Sequence, residues 1–148
     1  MHIVFVEPEI PPNTGTTARL CAATNTTLHL VGPLGFSLED RYLKRAGLDY
    51  WPHVDLHSYP NWQDFLARRP SGRMLGFSAR ATRSYTQVRY RADDLLVFGS
   101  ETRGLSDEVK TLLAEELYTI PMEGTHVRSL NLSNAAAIVL YEARRQLG

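Results

Sequence analysis

The 148-residue chain contains a single cysteine, Cys21. One thiol excludes an internal disulfide and any cysteine-based metal cluster, and it suits a reducing compartment. A cytoplasmic location is the expectation. No apolar run approaches the length of a membrane span, and the first residues lack the basic-then-apolar order of a secretory signal. Net charge is also missing: formally it is zero, which excludes a uniformly basic nucleic-acid binder. The phosphate-binding signatures are absent, with no G-x-x-x-x-G-K-[ST] and no G-x-G-x-x-G after the first apolar run. A P-loop and an ordinary dinucleotide site are therefore set aside. No group of His, Cys and carboxylates has metal-ligand spacing, so no metal is expected. Neither repeats nor low-complexity tracts interrupt the chain. Its length and ordinary composition suit one domain over residues 1–148.

What is present is unevenly placed. Residues 41–91 hold ten Lys/Arg (Arg41, Lys44, Arg45, Arg68, Arg69, Arg73, Arg80, Arg83, Arg89 and Arg91) against three acids. A segregated basic region attracts a polyanion even in a neutral protein, although a solvated arginine-rich surface has the same composition.

The most informative stretch is Leu95-Leu96-Val97-Phe98-Gly99-Ser100-Glu101-Thr102-Arg103-Gly104-Leu105. Four apolar residues read as a short buried strand, and a glycine-bracketed polar loop follows. Ser106 then caps a helix whose apolar side is Val109, Leu112 and Leu113. Gly99 and Gly104 permit positive φ and close approach of backbone to a ligand. This is half of a βαβ unit, and ligands of such sheets gather beyond the carboxyl ends of the strands.

The rest of the chain repeats that alternation. His2–Val6 reads as a first buried strand. Pro8, Pro11 and Pro12 predict a stiff extended loop, and Asn13 caps a helix through about Thr24. Arg19 is the one Lys or Arg among the first 40 residues. On an otherwise apolar helix its guanidinium needs either an internal carboxylate, such as Glu7, or a cleft. Leu28–Val31 is the next strand, and Gly35–Gly47 alternates loop with a short amphipathic helix (Leu38, Tyr42, Leu43, Ala46). Val54–Tyr59 is an edge strand, Asn61 caps a helix through Arg68, and Arg73–Phe77 is a third buried strand. Ser78–Arg91 reads as a long loop with a short strand at Gln87–Tyr90, and Leu117–Ile120 as a further strand. The last helix, Leu130 to Arg145, carries two apolar stripes: Leu132, Ala136, Val139, Leu140, Ala143 and Leu147, then Ala135, Ile138 and Tyr141. Apolar over so much of its girth, it is either deep in the core or shared with another subunit, and its terminal position favours sharing. The expected fold is α/β, a single-domain parallel sheet flanked by helices.

Three strands end in polar loops, at Phe77-Ser78, at Gly99 to Gly104 and at Pro121 to Asn134, and neighbouring strands would merge these into one cleft. His126, Ser129 and Glu101 are the residue types of a hydrolase triad, but no G-x-S-x-G elbow accompanies them.

Asn13-x-Gly15-x-x-x-Arg19, Phe98-Gly99-x-Glu101-x-x-Gly104, and Ile120-Pro121-Met122 followed by Arg128-Ser129-Leu130-Asn131-Leu132-Ser133-Asn134 resemble, in order, the three motifs of the SPOUT RNA methyltransferases. Pro8-Glu9-Ile10-Pro11-Pro12-Asn13-Thr14-Gly15, Arg45-Ala46-Gly47-Leu48-Asp49-Tyr50 and Ser133-Asn134-Ala135 narrow the similarity to the small bacterial tRNA wobble-nucleotide 2′-O-methyltransferases. The resemblance implies a C-terminal trefoil knot, a feature otherwise nearly absent from proteins. It also implies S-adenosylmethionine bound at Phe77, Gly99, Glu101, Gly104, Ile120, Ser129 and Leu130. Arg19, Asn131 and Ser129 would be the catalytic residues, with Arg19, Arg128 and Tyr141 toward RNA. The partners would be tRNA and a second copy of the chain, docked through the last helix. The substrate would be the wobble nucleotide, cytidine or carboxymethylaminomethyl-uridine, of leucine tRNAs. The alternatives are another tRNA or rRNA position, or a non-enzymatic RNA-binding protein on the same scaffold.

Overall fold

A computed structural model describes residues 1–39, 45 and 50–148. The amphipathic helix expected around Tyr42, Leu43 and Ala46, and most of the Arg45–Tyr50 motif, lie outside the described residues. The strands are β1 (His2–Val6), β2 (Thr27–Val31), β3 (Leu56–Tyr59), β4 (Met74–Phe77), β5 (Leu95–Phe98) and β6 (Leu117–Tyr118). The helices are α1 (Pro11–Thr24), α2 (Trp62–Arg68), α3 (Asp107–Leu112) and α4 (Leu132–Leu147). One sheet runs in the order β3-β2-β1-β5-β4-β6, and each neighbouring pair is parallel. After β3 the chain crosses to the other side of β1. The strand order therefore reverses next to β1, where β5 carries its glycine loop.

Period-two alternation assigns the two faces of the sheet. Ile3, Phe5, Leu28, Leu30, Leu75, Phe77, Leu96 and Phe98 pack with Ala18 and Cys21 of α1 and with Leu132, Ala136, Val139, Leu140 and Ala143 of α4. Val4, Val6, Val31, Leu95 and Val97 pack on the opposite face with Trp62, Phe65, Val109 and Leu113. Val109 and Leu113, four apart, form the inner stripe of short α3. Leu112 therefore turns outward, 53% exposed, against the sequence expectation.

Three other expectations are corrected. Helix α1 begins at Pro11 rather than after Asn13, because its first two positions need no N–H donor and suit the fixed proline φ. The strand expected at Gln87–Tyr90 is instead a 3-10 turn at Tyr85–Gln87 followed by buried Val88 and Tyr90, with the Tyr90 hydroxyl donating to the Tyr85 carbonyl at 2.7 Å. Strand β6 stops at Tyr118, and Thr119 makes only a single bridge, to Ser84.

On β2, His29 is 2% exposed and packed among polar rings. Its Nε2 lies 3.0 Å from His2 Nδ1, its Nδ1 lies 3.0 Å from the Tyr59 hydroxyl, and its ring stacks on His57, which Asp55 holds at 2.8 Å. Burial, reinforced by the neighbouring His2 and His57, depresses His29 from 6.5 to about 4; burial also lowers His2. An imidazole kept neutral in the fold protonates first in the unfolded chain, so its contribution is complete above pH 6.5 and is lost as pH falls toward 4. We expect urea denaturation to show stability falling by on the order of 2 kcal/mol between pH 6.5 and 4.5. His29→Leu should flatten that interval, and an unchanged slope in this variant would remove His29 as the cause.

Candidate cofactor and RNA site

The loops after β4, β5 and β6 converge, as their sequence positions suggested. Together with the start of α4 they enclose a cavity of about 890 Å³. Of the residues expected there, Phe77, Gly99, Glu101, Gly104, Ile120, Arg128, Ser129 and Leu130 all line it; Arg19, Asn131 and Tyr141 do not. Its apolar wall is built on the Phe77–Phe98 stack, with ring centres 5.1 Å apart and planes inclined by 19°. Ile120, Met122, Leu130 and Leu132 extend that wall. Ser78 and the Ser100–Gly104 turn add backbone and small polar groups to the lining. A flat heteroaromatic ring with hydrogen-bonding edges suits such a lining better than a phosphate does.

The reason for Gly99 differs from the sequence expectation, whereas Gly104 takes the positive φ expected of it. A Cβ on Gly99 would sit 2.0 Å from the Gly104 carbonyl carbon and 2.1 Å from the Leu105 nitrogen. The close approach that Gly99 permits is therefore that of the protein's own loop. Ser100 and Gly104 exchange backbone hydrogen bonds of 3.1 and 2.9 Å, closing the turn, and Gly104 has a φ of +67°.

Glu101 likewise has a role within the chain. Its oxygens accept from Glu9 N and Ile10 N, both at 2.8 Å, and from Asn13 Nδ2 at 3.2 Å. Ile10, the α1 N-cap residue, provides no side-chain cap. A carboxylate from a distant loop thus satisfies donors at the start of this helix and meets the positive end of its dipole. Glu9 reciprocates by accepting from Thr102 N at 3.1 Å and Thr102 Oγ1 at 2.6 Å. These hydrogen bonds hold its carboxyl below the usual range.

Asn131 completes the same network. Its Oδ1 accepts from Ser133 N, Ser133 Oγ and Asn134 N, capping α4, and its Nδ2 donates to Asn13 Oδ1 at 2.9 Å. The chain Asn131–Asn13–Glu101 joins one residue from each motif. The polar atoms of Asn131 and Glu101, expected as catalytic and cofactor-contacting residues, thus also fix α1 and α4 against the cavity loop. Sequence spacing gave no hint of this, since the partners are 88 and 118 residues apart.

Arg19 is exposed, and its guanidinium lies over the Tyr50 ring, 4.8 Å from the centroid. The ion pair with Glu7 is not formed; among the described residues Arg19 has no carboxylate partner. Tyr141, 53% exposed on α4, has Arg144 over its ring at 5.5 Å. No hydrogen bond among the described residues joins His126, Ser129 and Glu101, so the hydrolase constellation is not assembled. Nor do the described residues contain a group of three or more His, Cys, Asp or Glu side chains able to hold a metal ion, or a helix long and apolar enough to cross a membrane. Arg80, Arg103, Lys110 and Met122 also line the cavity. Sequence reading assigns none of them to the site: Arg80 and Lys110 lie outside the motifs, Arg103 at a position the second motif leaves open, and Met122 within the third motif without an assigned role.

Residues 1–141 match the SpoU rRNA Methylase family. The chain belongs to this family. Within it, this SpoU-family chain is 48% identical to a tRNA (cytidine(34)-2'-O)-methyltransferase of Methylovorus glucosotrophus, over 97% of the chain and 94% of that protein. It is 45% identical to the protein of the same name from Yersinia pestis, over 100% and 94%. Among solved structures, one described as giving insight into the 2-OH methylation of C/U34 on tRNA superposes with a TM-score of 0.91 at 50% identity, covering 99% of this chain and 95% of that one. The SpoU methyltransferase AviRb of Streptomyces viridochromogenes, solved with its cofactor AdoMet, superposes with a TM-score of 0.88 at 26% identity, covering 99% and 60%. The SPOUT resemblance of the three motifs and this family membership agree.

Proposed function

We propose that this SpoU-family protein transfers a methyl group from S-adenosylmethionine to the ribose 2′-hydroxyl of the wobble nucleotide in the tRNA anticodon. The observation that carries the reading is the convergence of the second and third motifs on one cavity, with the first motif tied to both through Asn13, in a chain nearly half identical, end to end, to relatives named for that reaction. Cytidine, or a modified uridine, in leucine tRNAs is the substrate class, and the cytoplasm the place of action.

The cavity suits the cofactor: the Phe77–Phe98 stack and Ile120 give an aromatic and aliphatic wall for adenine, and turn backbone gives hydrogen bonds. When bound, S-adenosylmethionine supplies a methyl group already activated by its sulfonium. The chain must then position a hydroxyl in line and help its proton leave. Ser129, exposed at the cavity wall, is placed to hold the ribose or the cofactor. Arg19 presents a planar two-pronged donor with no acid partner among the described residues, which suits a phosphate that orients the hydroxyl; a guanidinium is too weak a base to take the proton itself. Arg128 grips a second phosphate. Glu101, Asn13 and Asn131 hold α1, and so Arg19, in register with the cavity. The trefoil knot belongs to the same reading, supported by the way segment 119–131 lines the cavity of loop 99–106 before α4 returns to pack against α1.

The test is incubation of purified protein with labelled S-adenosylmethionine and unmodified leucine tRNA, with the product mapped by mass spectrometry. A 2′-O-methyl group at the wobble nucleotide is expected. Methylation elsewhere, or cofactor binding without transfer to any RNA, would overturn the assignment.

The homodimer is part of this proposal. The inner stripe of α4 is buried within the protomer, with Ala136 and Val139 fully covered, while Ile138 and Tyr141 are 37% and 53% exposed. The outward stripe is therefore the candidate interface. Ile138→Asp should convert a sedimenting dimer into a folded monomer at micromolar concentration. A wild-type monomer under the same conditions would rule the interface out.

A further inference from the structure

The basic excess of residues 41–91 suggested a polyanion surface, yet many of those arginines serve internal contacts. Arg68 pairs with Asp64. Arg73 makes a two-pronged pair with fully buried Asp94, at 3.1 and 2.8 Å. Arg69 donates to the Pro70 and Gly72 carbonyls, and Arg83 donates to the Glu115 carbonyl while lying over the Tyr118 ring. Such cations fasten loops to the sheet and have little left for a ligand.

The cations at the cavity are different. Arg80 follows β4, Arg103 sits in the turn after β5, and Lys110 lies on α3; all three line the cavity beside Arg128. Among the described residues none of the four side chains has a hydrogen bond or an ion pair, although Arg103 is close enough to Glu9 to help lower its pKa. Two acids share the lining. Glu101 already accepts three hydrogen bonds from the start of α1, and Asp107 sits in the first turn of α3. Four uncommitted cations against these two acids leave the rim positive. Lys110 lies on α3, which packs on one face of the sheet while α4 packs on the other, and Arg103 sits in the turn just before α3. Docking a second copy on α4 would not need them.

We propose that Arg80, Arg103 and Lys110, together with Arg128, form a phosphate-contacting rim that lays the RNA backbone across the cavity mouth. This rests on the methyl-transfer reading, and to Arg128 it adds three residues that the motifs leave unassigned. Cations from separate loops, held by a rigid sheet, suit a sugar–phosphate backbone: they fix register and orientation without reading bases. Neutralised phosphates release counterions, so the rim has a salt signature of its own.

The experiment compares wild type with the triple variant Arg80→Gln, Arg103→Gln, Lys110→Gln, using tRNA transcript and, separately, S-adenosylhomocysteine. Arg68→Gln serves as a control in which an exposed but paired arginine is removed. We expect the triple variant to melt normally and to bind S-adenosylhomocysteine with wild-type affinity by calorimetry. Its tRNA affinity should fall by about tenfold or more, and its plot of log affinity against log salt should be shallower by about two to three units, one for each lost contact. Arg68→Gln should leave that slope unchanged. Unaltered tRNA affinity and slope in a folded triple variant would overturn the rim, as would equal losses in the control. A triple variant that no longer bound S-adenosylhomocysteine would reassign these cations to the cofactor and overturn it too. If wild type bound S-adenosylhomocysteine but no tRNA, the methyl-transfer reading itself would have failed.

Discussion

Arg19→Ala is expected to leave the protein folded, cofactor-competent and nearly inactive on tRNA. The guanidinium is exposed and meets only the face of Tyr50, without a carboxylate partner among the described residues. Removing it strands no buried charge, so the loss of roughly 3–5 kcal/mol that follows breaking a buried ion pair should not occur. An exposed cation–aromatic contact is worth only about 0.5–1 kcal/mol, and melting should move by a few degrees at most. Methyl transfer should fall by about two orders of magnitude or more, the usual effect of losing one positioned charge-stabilising group. Arg19→Lys should restore little, because a point charge does not reproduce a planar donor pair. Near-normal methylation by folded Arg19→Ala would dismiss the assignment.

Gly99→Ala should do the opposite and damage the fold and the cavity together. The added methyl would lie 2.0 Å from the Gly104 carbonyl carbon and about as close to its oxygen and to the Leu105 nitrogen, all backbone atoms that cannot rotate aside. Forcing that crossing apart breaks the Ser100–Gly104 hydrogen bonds and shifts Glu101, with everything that Glu101 holds. Overpacking of this kind costs on the order of 1–3 kcal/mol, so thermal melting should fall by several degrees while S-adenosylhomocysteine binding is lost. Gly104→Ala separates the two glycines. Its Cβ meets nothing within 4 Å, leaving only the strain of a φ of +67°, about 1–2 kcal/mol. Equal melting temperatures for wild type and Gly99→Ala would refute the loop crossing as the reason for this glycine.

The sequence by itself determined the class of fold and the identity of most cavity residues. Short β-rich apolar runs at His2, Leu28, Met74 and Leu95, separated by capped helices, leave little choice but a parallel sheet, since parallel strands need crossovers. The second and third motifs then marked loops that meet at the cavity. Tertiary structure alone decided how individual side chains are used. Period and propensity describe each residue's relation to its near neighbours, whereas Glu101, Asn13 and Asn131 are defined by partners about 90 to 120 residues away. That is why a glycine that looked reserved for a ligand proved to clear the protein's own backbone. It is also why the hold that Glu101 and Asn131 keep on α1 and α4 could not be read from the motifs. The local basic excess left two readings open for the same reason. A charge count along the chain cannot separate Arg73, locked on buried Asp94, from Arg80, whose side chain has no partner among the described residues and lines the cavity. Only folding brings an acid to one and not to the other.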